Sequence, residues 1–168
     1  ATIPVVGNKL GLEDEENTKE VLEIPSGVAK WIKFDELNNP VDYHSDESLV
    51  FENQMAISFW INGSGLIKGD NYDISIENNK VNFSYSGGSF EPANELEAGW
   101  NHVVVSIDME ITELNSRIYI NNAPDVFSVN NLNINSNLTI SGKFDDVMLF
   151  NKPLSILDVN GLYVYQKK

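Results

Sequence analysis

Alternation with a period of two runs through most of this chain. Met55–Asn62 sets Ile57, Phe59 and Ile61 against Ser58, Trp60 and Asn62. Asn101–Asp108 sets Val103, Val105 and Ile107 against His102, Val104 and Ser106. Arg117–Asn121 sets Ile118 and Ile120 against Arg117, Tyr119 and Asn121. Successive side chains of a strand point to opposite faces, so each segment reads as a half-buried strand. Leu66–Lys68, Tyr72–Ile76, Val81–Tyr85 and Leu138–Ser141 read as further short strands. Turn signals such as Gly63-Ser64-Gly65, Gly69-Asp70-Asn71 and Gly87-Gly88 fall about every 8–12 residues, which is a sandwich spacing. Asn78-Asn79 sits between two alternating runs and reads as a hairpin, because asparagine tolerates positive φ. The pattern is all-β and antiparallel, with no alternation of strands and helices.

Phe144–Phe150 has strand composition, Lys152-Pro153 stops it, and Leu154–Leu162 follows as a short C-terminal helix with Asp158 on its polar side. At the other end, Ala1–Gly7 reads as extended and Glu13-Asp14-Glu15-Glu16 as a solvated acidic loop. Pro25-Ser26-Gly27 marks a turn. Ala29–Phe34 is a strand with Trp31 and Lys33 opposite Ile32 and Phe34, and Glu36–Pro40 is a loop. Asn130–Asn137 reads as an asparagine-rich loop with one short strand.

The chain has 168 residues, enough for one all-β domain spanning 1–168 with a core of its own. It has no cysteine, so it carries neither a disulfide framework nor a thiol nucleophile. The net charge of −14 opposes nucleic acid and anionic lipid, both of which attract a positive field. No apolar run approaches the ~18 residues that membrane insertion requires. The chain begins at Ala1 without a signal peptide, so it reads as an excised module or a mature segment.

Four stretches also carry a family likeness. Phe144-Asp145-Asp146-Val147-Met148-Leu149-Phe150-Asn151-Lys152-Pro153-Leu154-Ser155 resembles the closing motif of laminin-G-like jelly rolls, in the concanavalin A-like lectin/glucanase superfamily. Lys30–Asp35 with Asp42-Tyr43 resembles an early family segment. Met55–Ile61 resembles its Trp-containing strand, and Gly99–Ser106 with Arg117–Asn122 its central strand pair. The resemblance covers roughly Ala29–Tyr165 and implies a two-sheet antiparallel jelly-roll sandwich. It departs at Glu36, where the family usually has glycine. Because the superfamily holds lectins, hydrolases and adhesive modules, function has to come from a site.

Three groups of residues could carry chemistry. Trp60, His102, Arg117 and Tyr119 all leave the aliphatic side of their strands, so neighbouring strands would line one face with rings and planar polar groups. Such a face suits a glycan, which offers apolar ring faces and hydroxyls. The alternative is that these rings merely cover the sheet. Second, the resemblance implies a structural Ca²⁺ held by Asp35 with Asp145 or Asp146. Strand alternation alone would send Asp145 and Asp146 to opposite faces. Asp70 and Asp73 form a weaker acidic pair. Third, catalysis finds little support. Only His44 and His102 are present, no nucleophile elbow occurs, and Asp108, Glu110 and Glu113 fall where a strand runs into a loop. The reading is a non-catalytic, extracellular, carbohydrate-binding module. The alternatives are an adhesive spacer that binds a surface-protein partner, and, further off, a glycoside hydrolase.

Overall fold

A computed structural model describes residues 24–34, 39–45 and 48–168. The acidic block, Asp35 and Glu36 lie outside the described residues. Ten strands and one helix follow in order: β1 Val28–Ile32, β2 Val41–His44, β3 Gln54–Lys68, β4 Tyr72–Glu77, β5 Lys80–Tyr85, β6 Gly88–Phe90, β7 Trp100–Asp108, β8 Ser116–Ile120, β9 Ala123–Phe127, β10 Thr139–Phe150 and α1 Ile156–Gln166. Every strand pair is antiparallel. The fold is an all-β, jelly-roll-like sandwich with a short C-terminal helix.

Two long strands belong to both layers. The first half of β3 pairs with β7, whereas its second half pairs with β4. β10 follows β3 along its length, pairing with β2 at its start and β1 at its end. One layer therefore runs β1-β10-β3-β7-β8-β9, and the other β2-β10-β3-β4-β5-β6. The core fills the space between them. Ile57, Phe59, Val103, Val105 and Ile118 meet Ile67, Ile74, Val81 and Phe83, with Phe144 at the bend.

The bend itself is made by glycine. Gly63-Ser64-Gly65, expected to turn the chain, instead lies inside β3, and Leu66–Lys68 continues the same strand. Leu138–Ser141 and Phe144–Phe150 likewise join into one strand, β10. Gly65 faces Gly142 across the ladder. At Gly142, φ is +134°, and a Cβ would lie 2.8 Å from the Ser64 carbonyl oxygen. Glycine there allows sharp curvature without breaking the pairing.

Asparagine makes the tight hairpins. Asn78 and Asn79 have φ of 52° and 64°, as the turn between β4 and β5 requires. Asn121 and Asn122 repeat the device at 49° and 73°, joining β8 to β9. Strand β9 has no counterpart in the sequence reading because Pro124 lacks a ladder donor. The structure places it on an edge, where proline is tolerated. The helix starts later and ends later than expected. Ser155 caps it, and Ser155 and Asp158 form a reciprocal capping box.

Substituting Gly142→Ala should lower unfolding stability by about 2–3 kcal/mol, from strained φ plus the carbonyl clash. Urea denaturation reads this directly; an unchanged midpoint would mean the strand can bend without glycine here.

Candidate ligand-binding site

The expected aromatic face exists, but it is closed. Trp60 pairs with His102 across β3 and β7, and Val104 pairs with Tyr119 across β7 and β8, so the side chains converge as alternation requires. Helix α1 then lies on them. Trp60 is 2 % exposed, His102 0 % and Tyr119 2 %. The Trp60 ring stacks on Tyr163 at 5.9 Å, and its indole N–H donates to Gln166 Oε1 at 3.2 Å. The Tyr119 hydroxyl reaches the Leu154 carbonyl at 3.5 Å. A second apolar cluster, including Val104, Met148, Phe150, Val159 and Leu162, seals the same interface. These rings therefore present no face to a sugar while the helix is docked. Of the four residues, only Arg117 is exposed.

Ser58 Oγ and His102 Nε2 lie 2.8 Å apart, the distance of a nucleophile and its base. Both residues are 0 % exposed, and His102 Nδ1 has no partner, so no carboxylate orients the ring and no substrate reaches it. Burial, and then the nearby Lys168 charge, push the His102 pKa down to about 3. The imidazole is thus neutral in the folded chain at ordinary pH.

The two adjacent aspartates share one side after all. One extra residue in β10 separates the Asp145↔Trp60 and Met148↔Ser58 pairs, and Asp146 takes φ of 49°. This bulge undoes the alternation that would have parted them. Lys168 Nζ donates to Asp145 at 2.8 Å and to Asp146 at 2.9 Å. The remaining oxygens accept from the Phe34 N–H at 3.1 Å and the Trp31 indole N–H at 3.0 Å. Burial opposes the Lys168 charge, but the hydrogen bonds and charges of the two carboxylates outweigh it and raise its pKa. All four carboxylate oxygens are thus held by N–H donors, which is poor preparation for Ca²⁺. Among the described residues no group of three or more His, Asp or Glu side chains could hold a metal. A Ca²⁺ ion at this pair would have to displace the Lys168 ammonium.

An open polar cleft lies at the far end of the second layer. It has a volume of about 370 Å³ between the Lys68–Asp73 turn and the end of β5. Tyr72 pairs with Tyr85 at its edge, a register set by the Asn78-Asn79 turn. Tyr72 is buried against Phe83, while Tyr85 is partly buried, its ring 5.7 Å from Phe83, and lines the cleft. Tyr85 is tethered through its hydroxyl to the Ser128 carbonyl at 3.5 Å. The Asp70 N–H donates to Ser136 Oγ at 2.7 Å, and Asn71 Nδ2 donates to the Asn133 carbonyl at 3.3 Å. Lys68 pairs with Asp73 at 3.4 Å. These ties to the asparagine-rich loop hold the turn against the sheet. The Tyr72 hydroxyl, beside the cleft, is buried without a partner, and burial followed by Asp70 raises its pKa. It therefore remains a protonated donor.

Such a site offers carboxylates, an amide and an ammonium beside one partly exposed tyrosine. The sequence reading had only Asp70 and Asp73 from this cluster. The signal for Tyr85 was present in the hairpin, since a two-residue turn at Asn78-Asn79 already sets Tyr72 opposite Tyr85.

No known protein family matches the sequence, and no curated protein is detectably similar. The fold is similar to solved structures. Domain 4 of AbnA, a GH43 extracellular arabinanase from Geobacillus stearothermophilus in complex with arabinotriose, matches with a TM-score of 0.53 at 18 % identity over 68 % of each chain. The receptor-binding domain of botulinum neurotoxin type G matches with a TM-score of 0.56 at 13 % identity, over 88 % of this chain and 49 % of that one. The binding domain of botulinum neurotoxin DC in complex with SialylT gives 0.54 at 16 %, over 95 % and 51 %. This chain spans about half the length of the neurotoxin domains. At such identities the likeness establishes the fold.

Two expectations follow from the closed face. Below pH 6.5 the unfolded chain binds a proton at His102 that the folded chain refuses, because the folded pKa is depressed to about 3. This group therefore leaves stability intact above pH 6.5 and erodes it as pH falls from 6.5 to 3, by at most about 1.4 kcal/mol per pH unit. By NMR, the His102 ring should stay neutral at pH 5; a midpoint above 5 would contradict the burial. Separately, Lys168→Ala should cost about 2 kcal/mol by urea denaturation, since it leaves two buried carboxylates without their cation. Adding Asp145→Asn and Asp146→Asn should restore part of that loss.

Proposed function

We propose that this chain is a non-catalytic carbohydrate-binding module that takes a neutral oligosaccharide in the Tyr85 cleft. The observation that carries the reading is the cleft itself: a partly exposed tyrosine across from Asp70, Asn71 and Asp73, the latter on a turn braced by hydrogen bonds. A sugar ring stacks its apolar face on an aromatic side chain, and its hydroxyls pair with planar carboxylates and amides. The two aspartates and the net charge of −14 disfavour an anionic sugar.

Two structural neighbours were solved with arabinotriose and with SialylT, which supports a glycan over other small ligands. The laminin-G-like resemblance, one domain over 1–168 and an extracellular setting belong to the same proposal, and the extracellular arabinanase among the neighbours favours that setting. Among the described residues no helix is long and apolar enough to cross a membrane. Calcium, tied by the resemblance to Asp35, Asp145 and Asp146, is a separable part of the proposal; loss of glycan binding in EDTA would be the result in its favour.

Isothermal titration with arabinotriose and other neutral oligosaccharides tests the reading. Tyr85→Ala should weaken the best ligand about tenfold, which corresponds to roughly 1.4 kcal/mol, and should also lower the melting temperature, because the ring packs on Phe83; affinity is therefore measured well below the melting transition. Asp70→Ala should weaken it as well. Arg117→Ala should leave it unchanged. Equal affinity in wild type and Tyr85→Ala would remove the cleft from the account.

A further inference from the structure

Apolar surface gathers at the other end of the molecule. Eight large hydrophobic side chains are exposed among the described residues; two of them, Ile111 and Leu114, line one cleft of about 350 Å³, and Ile156 and Leu157 follow directly on its lining residue Ser155. Ile111 and Leu114 line it from the β7–β8 loop. Ile156 and Leu157 sit on the first turn of α1, beside the lining residues Ser155 and Asp158. Leu114 is 62 % exposed and Leu157 79 %. Contiguous exposed apolar groups with a polar rim mark interaction surfaces.

This loop is held rather than loose. Asn115 Nδ2 donates to the Ile111 carbonyl at 2.9 Å and the Val129 carbonyl at 2.8 Å, while its Oδ1 accepts from the Val129 N–H at 2.9 Å. The Leu114 N–H donates to Ser128 Oγ at 2.8 Å. These bonds keep Leu114 at φ 51°, a left-handed conformation that a leucine rarely adopts. The strain presents an apolar side chain to water, which folding alone does not reward. Preorganised apolar anchors reduce the ordering cost of an association.

Charge selects the occupant. The cleft lining carries Asp108 and Asp158 with Arg117 as its one cation, and Glu110 and Glu113 are exposed on the same loop as Ile111 and Leu114. Among the described residues no ion pair joins any of these four carboxylates to a cation. We propose that this cleft docks a basic, leucine-rich segment of a partner protein, with Ile111, Leu114 and Leu157 as its apolar anchors and the four carboxylates facing its lysines or arginines. A second copy of this chain fits poorly, since it would bring the same four carboxylates and a net charge of −14 to the contact. The proposal stands apart from the glycan reading, because Tyr85 and Asp70 take no part in it.

Fluorescence anisotropy with a labelled peptide of alternating leucine and lysine tests it, against a leucine–glutamate peptide of the same length. Leu114→Asn is the informative variant, because asparagine accepts positive φ and the fold should be retained or stabilised. Combined with Leu157→Ser, it should weaken the leucine–lysine peptide about tenfold, leave the glycan titration unchanged, and leave the melting temperature equal or higher. The leucine–glutamate peptide should not bind. Equal affinity for wild type and the double variant would overturn the proposal, since attraction would then rest on net charge alone. No binding of the basic peptide would overturn it too. So would self-association of the wild type, by sedimentation equilibrium, that the double variant abolishes.

Discussion

The β3–β10 ladder is the contact on which the rest of the molecule hangs. Both strands serve both layers, and both must bend at the same height. Gly65 opposite Gly142 makes this possible: neither position has room for a Cβ, and Gly142 has a φ that L side chains avoid. The bend sets the gap that Phe59 and Phe144 fill edge to face at 5.4 Å. It also leaves the outer face of the first layer uncovered by any strand. That face carries Trp60, His102 and Tyr119, and a helix is what closes it.

Helix α1 therefore matters more to function than its length suggests. Its residues Val159, Leu162, Tyr163 and Gln166 cover the rings, and Lys168 pins the end of the segment to the Asp145–Asp146 bulge. A face that would suit a sugar is used instead to hold the chain's own helix. Ring stacking and an indole hydrogen bond serve either purpose, which is why residue type alone did not decide between them. Open chemistry is left at the two ends of the sandwich, where turns and loops project past the strands.

Much of this was legible in the sequence, and the failures have physical causes. Alternation placed Val103, Val105 and Ile107 toward the core and His102 and Ser106 away from it, as observed. Asn78-Asn79 was readable as a hairpin because asparagine bears positive φ cheaply. Gly63-Ser64-Gly65 was misread because glycine signals a turn and a strand bend equally well; only the partner strand distinguishes them. Strand β9 was hidden by Pro124, and the fate of Asp145 and Asp146 by a one-residue bulge that no local pattern announces. Trp60, His102 and Tyr119 were correctly placed together, but their cover comes from residues about a hundred positions later in the sequence for Trp60, a separation over which periodicity carries no information.

On the proposed function, a glycan binds at the turns on the edge of the sheet and not at its aromatic centre, which helix α1 covers. Backbone amide shifts measured by NMR during titration with arabinotriose test this most directly. Perturbations should gather at residues 68–73 and 84–86, with helix α1 and Trp60 unmoved. Perturbation centred on Trp60, Tyr119 and residues 156–166 would show instead that the helix yields to the ligand, and would contradict it.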